Sequence, residues 1–271
     1  MKDGKDIIAT NKLCWKYGEA AVLNDISLTI KKNRLYGIIG PNASGKTTLL
    51  KNLSRSLMPQ KGSVFLFDDD ITGFSNNKLA RKVSCVPQNT YLRFEFSVMD
   101  MVLMGRSPYL RKFQSESEYD IEIAKNAMLI TNTWHLREKN IGQISGGERQ
   151  RVIIARALAQ QTEIMLLDEP VSQLDIHHQI EILDIIKKLT EDEKLTAVLS
   201  LHDLNLAAQY SDFLILMDKG RIFKHGLPNE IITEENIQKV YGIKTFIMEN
   251  PFNRKPHIIP LEKSYDGNVA D

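Results

Sequence analysis

Gly40-Pro41-Asn42-Ala43-Ser44-Gly45-Lys46-Thr47-Thr48 is the stretch from which the rest of the chain is read. Gly40, Gly45, Lys46 and Thr47 have the spacing at which a backbone turns tightly around an anion. Leu35 to Ile39, just before it, is a short apolar run of strand length. Thr48 to Leu57, just after it, places apolar residues at 49, 50, 53 and 57, a helical stripe. Strand, glycine turn and helix together suit a phosphate. Glycines let backbone N–H groups curl around phosphate oxygens, and the helix aims its unpaired N–H groups and positive dipole end at the same charge. Lys46 adds a mobile cation for the outer phosphates, and the Thr47 hydroxyl can hold Mg²⁺.

Working outward, residues 7–15 and 25–31 alternate apolar and polar side chains as half-buried antiparallel strands do, with Tyr17 and Gly18 in the turn region between them. Ser63 to Phe67 and Val83 to Val86 resume strand character, and Pro87 closes the second so that Gln88 begins a loop. Ile164 to Asp168, Thr196 to Ser200 and Phe213 to Met217 are continuous apolar strands, with the amphipathic helix Ile176 to Leu189 among them. Strands of this kind alternating with helices predict an α/β fold whose mainly parallel sheet is covered on both faces. Ligands gather at the carboxyl ends of such strands. The residues just past those ends are Gly40 onward, Gln88, Asp168-Glu169 and His202, which points to one site.

Between about Leu92 and Gln143 no strand signal intervenes, and the stretch reads as a helical insert. Val98 to Met104 is a short amphipathic piece, and Ser115-x-x-Glu118 has the form of a capping box opening a helix through about Ile130. Ser145-Gly146-Gly147-Glu148 opens a further helix, and Arg149, Arg151 and Arg156 on it lie at helical spacing, as on a solvated or phosphate-adjacent face. Past Gly226 the sequence predicts a short helix pair (Glu230 to Val240), a strand near Lys244 to Met248 and a loose polar tail from Ser264. One domain is expected, with a core of residues 7–91 and 156–243, a helical part at 92–155 and a terminal strand and tail at 244–271.

Composition sets bounds on function. With 271 residues, 42% of them hydrophobic and 25% charged, the chain can bury a sizeable core, and its formal net charge of +1 lacks the positive excess of a general nucleic-acid binder. The two cysteines, Cys14 and Cys85, have no metal-ligand spacing and suit a reducing compartment. Lys2, Asp3, Lys5 and Asp6 stand where a signal peptide would be apolar, and no apolar run approaches the ~20 residues of a membrane span.

Ile164-Met165-Leu166-Leu167-Asp168-Glu169-Pro170 is an apolar strand with two acidic residues at its mouth. In a nucleotide site the pair divides the work: Asp168 serves the Mg²⁺ shell and Glu169 polarises the attacking water as general base. With these motifs in this order, Ile144-Ser145-Gly146-Gly147-Glu148-Arg149-Gln150-Arg151 resembles the LSGGQ signature of the ATP-binding cassette (ABC) transporters. The whole chain from about 7 to 262 is similar to their nucleotide-binding subunit. The resemblance implies a P-loop NTPase core with an antiparallel β subdomain and an α-helical insert, and ATP and Mg²⁺ as ligands.

It also implies roles. Tyr17 matches the aromatic that stacks on adenine. Gln88 matches the glutamine that senses Mg²⁺ and water and couples the site to the insert. Ser172-Gln173-Leu174-Asp175 resembles the loop that crosses to the partner subunit, and His202 matches the switch histidine at the terminal phosphate. Two copies are expected to close head to tail, each ATP lying between the residue 40–48 loop of one and the Ser145 to Glu148 segment of the other. Ala43, Ile144, Glu148 and Gln173 depart from the family's usual residues, and none removes a catalytic side chain.

Gly105-Arg106-Ser107-Pro108-Tyr109, Leu174-Asp175-Ile176-His177-His178-Gln179 and His202-Asp203-Leu204-Asn205-Leu206-Ala207 are most similar to importer subunits serving iron–siderophore, haem, cobalamin and related metal-chelate or oxyanion systems. Such a subunit sits on the cytoplasmic face of the membrane, with a separate permease and a solute-binding protein as partners. Arg106 and Arg111 are then candidates for a permease-docking face. His177 and His178 are adjacent on a helix, diverge by ~100° and lack a third ligand, so they read as surface residues rather than a metal site. The rival expectations are a soluble ABC ATPase acting on nucleic acid or ribosomes, disfavoured by the lack of a coiled-coil insertion or second cassette, and an exporter cassette.

Overall fold

The alternating N-terminal residues form a long hairpin in the computed structural model, which describes residues 5–88, 96–192 and 195–262. Strands β1 (Asp6–Tyr17) and β2 (Ala20–Lys31) pair antiparallel with Tyr17 opposite Ala20. They run further than their alternation predicts because register shifts between Thr10 and Leu13, and again toward Lys16, break the period of two without breaking the pairing. After β3 (Leu35–Ile39) comes α1 (Lys46–Leu53), shorter than the apolar stripe because Arg55 adopts a left-handed φ of 57°. β4 (Val64–Leu66) and β5 (Asp69–Asp70) complete an antiparallel sheet of order β2-β1-β4-β5, and α2 (Asn76–Ala80) leads into β6 (Val83–Val86).

The insert holds α3 (Val98–Leu103), a 3-10 run over Met104–Tyr109, α4 (Glu118–Ile130) and α5 (Gly146–Ala159); the part expected to begin at 92 lies, up to residue 95, outside the described residues. The division expected at residue 155 falls inside α5, which runs through it unbroken. Then follow β7 (Ile164–Leu167), α6 (Ile176–Asp192), β8 (Thr196–Ser200), α7 (Leu204–Tyr210), β9 (Phe213–Asp218) and β10 (Arg221–Gly226). α8 (Pro228–Ile231), α9 (Glu234–Tyr241) and the hairpin β11 (Thr245–Glu249) with β12 (Pro256–Pro260) end the described chain, and the tail from Ser264 lies outside it. No helix of the described residues is long and apolar enough to cross a membrane.

The main sheet has the order β10-β9-β3-β8-β7-β6, parallel throughout except for β10 at one edge. Its strands show why they read as unbroken apolar runs, since alternate residues enter different cores. Leu35 and Ile39 of β3, Met165 and Leu167 of β7 and Leu214 and Leu216 of β9 pack with the helices of the insert and with α6 and α7. Tyr36 and Ile38, Ile164 and Leu166, and Ile215 and Met217 pack on the other face against α1 and the antiparallel sheet. With both faces dry, only the strand ends are open to water and ligand.

The Gly105 to Tyr109 run corrects one expectation. Arg106 is not on a docking face: it is 2% exposed and fastens the insert to the core. Its Nε donates to Asp120 Oδ1 at 2.9 Å, and its Nη1 donates to the carbonyl of Ala159 at 2.8 Å and to Gln161 Oε1 at 3.0 Å. Tyr109 lies under the guanidinium, 4.0 Å from its ring centroid, and donates its hydroxyl to the Gln160 carbonyl at 3.0 Å. Two side chains thereby satisfy carbonyls at the end of α5, where a helix has no partners of its own. Gly105 allows the approach, since a Cβ there would stand 2.2 Å from the Arg156 carbonyl oxygen.

The cap of α4 shifts for the same reason. Two Ser-x-x-acid registers overlap, and the structure uses Ser117 with Asp120 rather than Ser115 with Glu118, which places the carboxylate where Arg106 reaches it. Arg151, expected on a solvated or phosphate-adjacent face, is buried and donates to Glu181 at 2.8 Å.

Removing one partner of a buried ion pair strands the other, so Arg106→Ala is expected to lower unfolding stability by about 3 kcal/mol. Arg111→Ala, at an exposed position, is expected to change it little. Equilibrium urea unfolding checks both, and an Arg106→Ala protein as stable as its parent would remove the fastening role.

Candidate functional site

Four adjacent strands of the main sheet, β3, β8, β7 and β6, end side by side and deliver the expected residues in that order: the loop 40–48, His202, Asp168 with Glu169, and Gln88. At the loop, Gly45 is the N-cap of α1 with a φ of 104° and no side-chain cap, so the first N–H groups of the helix face outward uncapped by a side chain. A Cβ at Gly45 would lie 2.8 Å from Leu23 Cδ2, so only glycine fits between the hairpin and the turn. Ala43 adopts a φ of 61°, a region where an alanine costs about 1 kcal/mol more than the glycine usual there.

Lys46 is 6% exposed and its Nζ donates to the carbonyls of Gly40 at 2.8 Å and Pro41 at 3.0 Å. Burial holds its ammonium below the ordinary lysine value, with the carboxylates of Glu169 and Asp168 opposing. Thr47 Oγ1 donates to Asp168 Oδ1 at 3.0 Å, joining the loop to β7. The same oxygen accepts from Ser200 Oγ at 2.8 Å, and Ser200 in turn accepts from the backbone N–H of Glu169 at 2.8 Å. Sequence reading passed over Ser200; the available signal was a hydroxyl as the last residue of an apolar strand, two before His202.

Glu169 adopts a left-handed φ of 48°, unfavourable for a side chain of its size and of a kind that concentrates at functional sites. The turn swings its carboxylate between two neighbours. Gln88 Nε2 donates to Oε2 at 2.5 Å, and His202 Nε2 lies 2.5 Å from Oε1. A carboxylate held at both oxygens beside a threonine–aspartate pair and a lysine can accept a proton from water next to a bound phosphate. Thr47, Asp168 and Gln88 present oxygens, the donors a hard cation takes.

Tyr17 stands 48% exposed at the end of the β1–β2 hairpin, edge-on to Trp15 with ring centroids 6.2 Å apart. Tyr241, also unforeseen, stands near Gly40 of the loop from α9, and burial pushes its pKa up. The Ser145 to Glu148 segment contacts other elements. It starts α5 as a reciprocal cap, Glu148 N–H donating to Ser145 Oγ at 3.2 Å and Ser145 N–H to the Glu148 carboxylate at 2.8 Å. Its surroundings are α6 and a cleft of about 240 Å³ lined by Gln88, Arg149, Glu169, Ser172 and Gln173. Asp175 stands beside α6, bonded to His178.

Comparison with known proteins agrees with this geometry. Residues 23–172 match the ABC transporter family. The chain is 37% identical over 248 residues to the ferric enterobactin transport ATP-binding protein of Escherichia coli (strain K12), covering 92% of each chain. It is similar to a solved chain of an inward-facing ABC transporter assigned to the metal-chelate type, with a TM-score of 0.84, 27% identity and coverage of 96% of this chain and 99% of the other. A dimeric ATP-binding cassette solved after hydrolysis with ADP and phosphate bound gives a TM-score of 0.71 at 25% identity, over 82% of this chain and 98% of that one. An α/β sheet that gathers a phosphate loop, an acidic pair, a glutamine and a histidine along one edge, in a chain this similar to such proteins, belongs to the ABC transporter family as one of its ATP-hydrolysing cassettes.

Proposed function

We propose that this cassette binds and hydrolyses Mg-ATP between two head-to-tail copies and that the closure drives import of a metal chelate, of the iron–siderophore kind, through a separate membrane permease. The single observation that carries the catalytic part is the strained Glu169, its two oxygens held by Gln88 and His202 beside the Thr47–Asp168 pair. The importer part rests on the similarity to the ferric enterobactin transport protein and to the metal-chelate type transporter. The protein then works at the cytoplasmic face of the membrane, held there by its permease, with a solute-binding protein delivering the cargo.

In this reading each residue has a task. The loop from Gly40 to Thr48 and the open end of α1 bind the phosphates, Lys46 exchanges its carbonyl partners for phosphate oxygens, and Tyr17 stacks on the base. Thr47, Asp168 and Gln88 hold Mg²⁺, which neutralises developing charge on the phosphates when bound. Glu169 accepts the proton of the attacking water while His202 and Gln88 keep its carboxylate in place. Ser145, Gly146 and Gly147 of the partner copy supply the second helix end, with Glu148 capping it, and Asp175 crosses the interface. A lone cassette leaves one side of the terminal phosphate to water; a second helix N-terminus closes it.

Glu169→Gln keeps the side chain's size and one acceptor oxygen but cannot take the proton. It is expected to lose about a thousandfold or more in turnover while retaining ATP. With Mg-ATP it should run as a dimer in size-exclusion chromatography; hydrolysis at the parental rate would exclude the assignment. Lys46→Ala removes the charge nearest the outer phosphates and is expected to cost at least about 100-fold in kcat/KM, measured as phosphate release under steady state. A variant close to wild type would defeat that role.

A further inference from the structure

The first turn of α6 carries an arrangement that the chemistry above leaves unused. Asp175 stands just before the helix, and His178 grips it twice: the His178 backbone N–H donates to Asp175 Oδ1 at 3.0 Å, and the ring Nδ1 lies 2.9 Å from both carboxylate oxygens. These contacts hold the Asp175 carboxyl below the usual range. The other edge of the same ring rests on Gly147. A Cβ built there would stand 2.8 Å from His178 Cδ2, 3.0 Å from Cγ and 3.2 Å from Nε2, so the imidazole occupies the space a side chain would need.

The contact is extended on both sides. One turn further along α6, Glu181 accepts from Arg151 of α5 at 2.8 Å and lies 3.5 Å from His177 Nε2. Gln179 donates to the carbonyls of Val171 at 3.2 Å and Leu174 at 2.9 Å, which ties the segment after Glu169 to the same helix end. His177 and His178 therefore have separate partners and do not converge on a metal.

We propose that His178 is a positioning residue that locks the Asp175 loop to the Ser145–Gly147 helix end, so that the two segments one copy presents to its partner move as a single rigid unit. The inference rests on the head-to-tail reading, in which both segments act on the other copy. Ser145 and Gly146 at one end and Asp175 at the other are exposed, and closing the dimer would have to order them separately if nothing fixed one against the other. Pre-fixing one against the other removes part of that cost and leaves the loop 40–48, on the far end of the main sheet's site, untouched.

The test uses the full chain in the Glu169→Gln background, where Mg-ATP-driven dimerisation is read by sedimentation velocity. His178→Ala is expected to weaken the dimer about tenfold or more, with Mg-ATP affinity of the dilute monomer and the thermal midpoint unchanged. In the hydrolysing background the same substitution is expected to lower kcat about tenfold and leave KM within about twofold. His178→Asn, whose amide nitrogen can take the place of Nδ1, is expected to restore most of the dimer. Asp175→Ala should show at least the same loss, and the double variant no more than Asp175→Ala alone, because His178 acts through Asp175.

Dimerisation by His178→Ala equal to its parent overturns the inference, as do additive losses in the double variant. A parallel fall in monomer nucleotide affinity and thermal midpoint would reduce His178 to general stability and likewise overturn it. A Glu169→Gln parent that stays monomeric with saturating Mg-ATP overturns the head-to-tail reading and this inference with it, whereas a dimeric parent with an equally dimeric His178→Ala overturns this inference alone.

Discussion

One carboxylate oxygen holds the site together. Asp168 Oδ1 accepts from Thr47 at the start of α1 and from Ser200 at the end of β8, while the Asp168 backbone N–H donates to the Val86 carbonyl of β6 at 2.9 Å. Residues from four neighbouring strand ends are thus tied through a single side chain and its own amide. A buried carboxylate is tolerated only when such donors replace its water, and here both donors are hydroxyls, which satisfy it without cancelling its charge. Ser200 passes the constraint on. By accepting the Glu169 N–H, it secures a backbone turn that costs of the order of 1 kcal/mol and that aims the second carboxylate at Gln88 and His202. Position at Glu169 is therefore inherited from Asp168 rather than set by its own contacts alone.

How far the sequence could be read depended on whether a residue's role lay in its own element or in a neighbour's. β3, β7, β8 and β9 were legible because strands buried on both faces are mostly apolar, β6 because Val83 and Val86 bracket a short run closed by Pro87, and the site residues followed because they stand directly after those strands. β10 was not, since as an edge strand it exposes Arg221, Lys224 and His225 and carries no apolar pattern. α7 is a single cap and seven residues, too short for a period to show. The hairpin's far half was hidden by its register shifts.

Arg106 is the instructive miss. An arginine beside glycine, serine and proline reads as surface, and nothing local says otherwise; its burial is decided by Asp120, Ala159 and Gln161, 14 to 55 residues away. The same holds for Ser200 and His178, whose work is done on atoms of other elements. The overlapping Ser-x-x-acid registers before α4 show the converse: local rules allowed two caps, and the distant guanidinium fits the one that was used.

The two glycine-bearing helix starts are treated differently, and the difference orders events in the proposed dimer. α1 begins at a glycine with no side-chain cap, so an anion finds its N–H groups unopposed. α5 begins with its own reciprocal cap, and the Glu148 carboxyl, held low first by the Ser145 backbone N–H and then by its hydroxyl, already supplies negative charge to the helix end. A phosphate arriving there must displace internal hydrogen bonds of similar worth, so the net gain from one such exchange is small. The α5 end thus adds little to nucleotide capture by a single copy. It becomes favourable only when the phosphate is already fixed on α1 of the other copy and water is excluded, where a helix end is worth most. Capture first and closure second follows from how the two ends are capped.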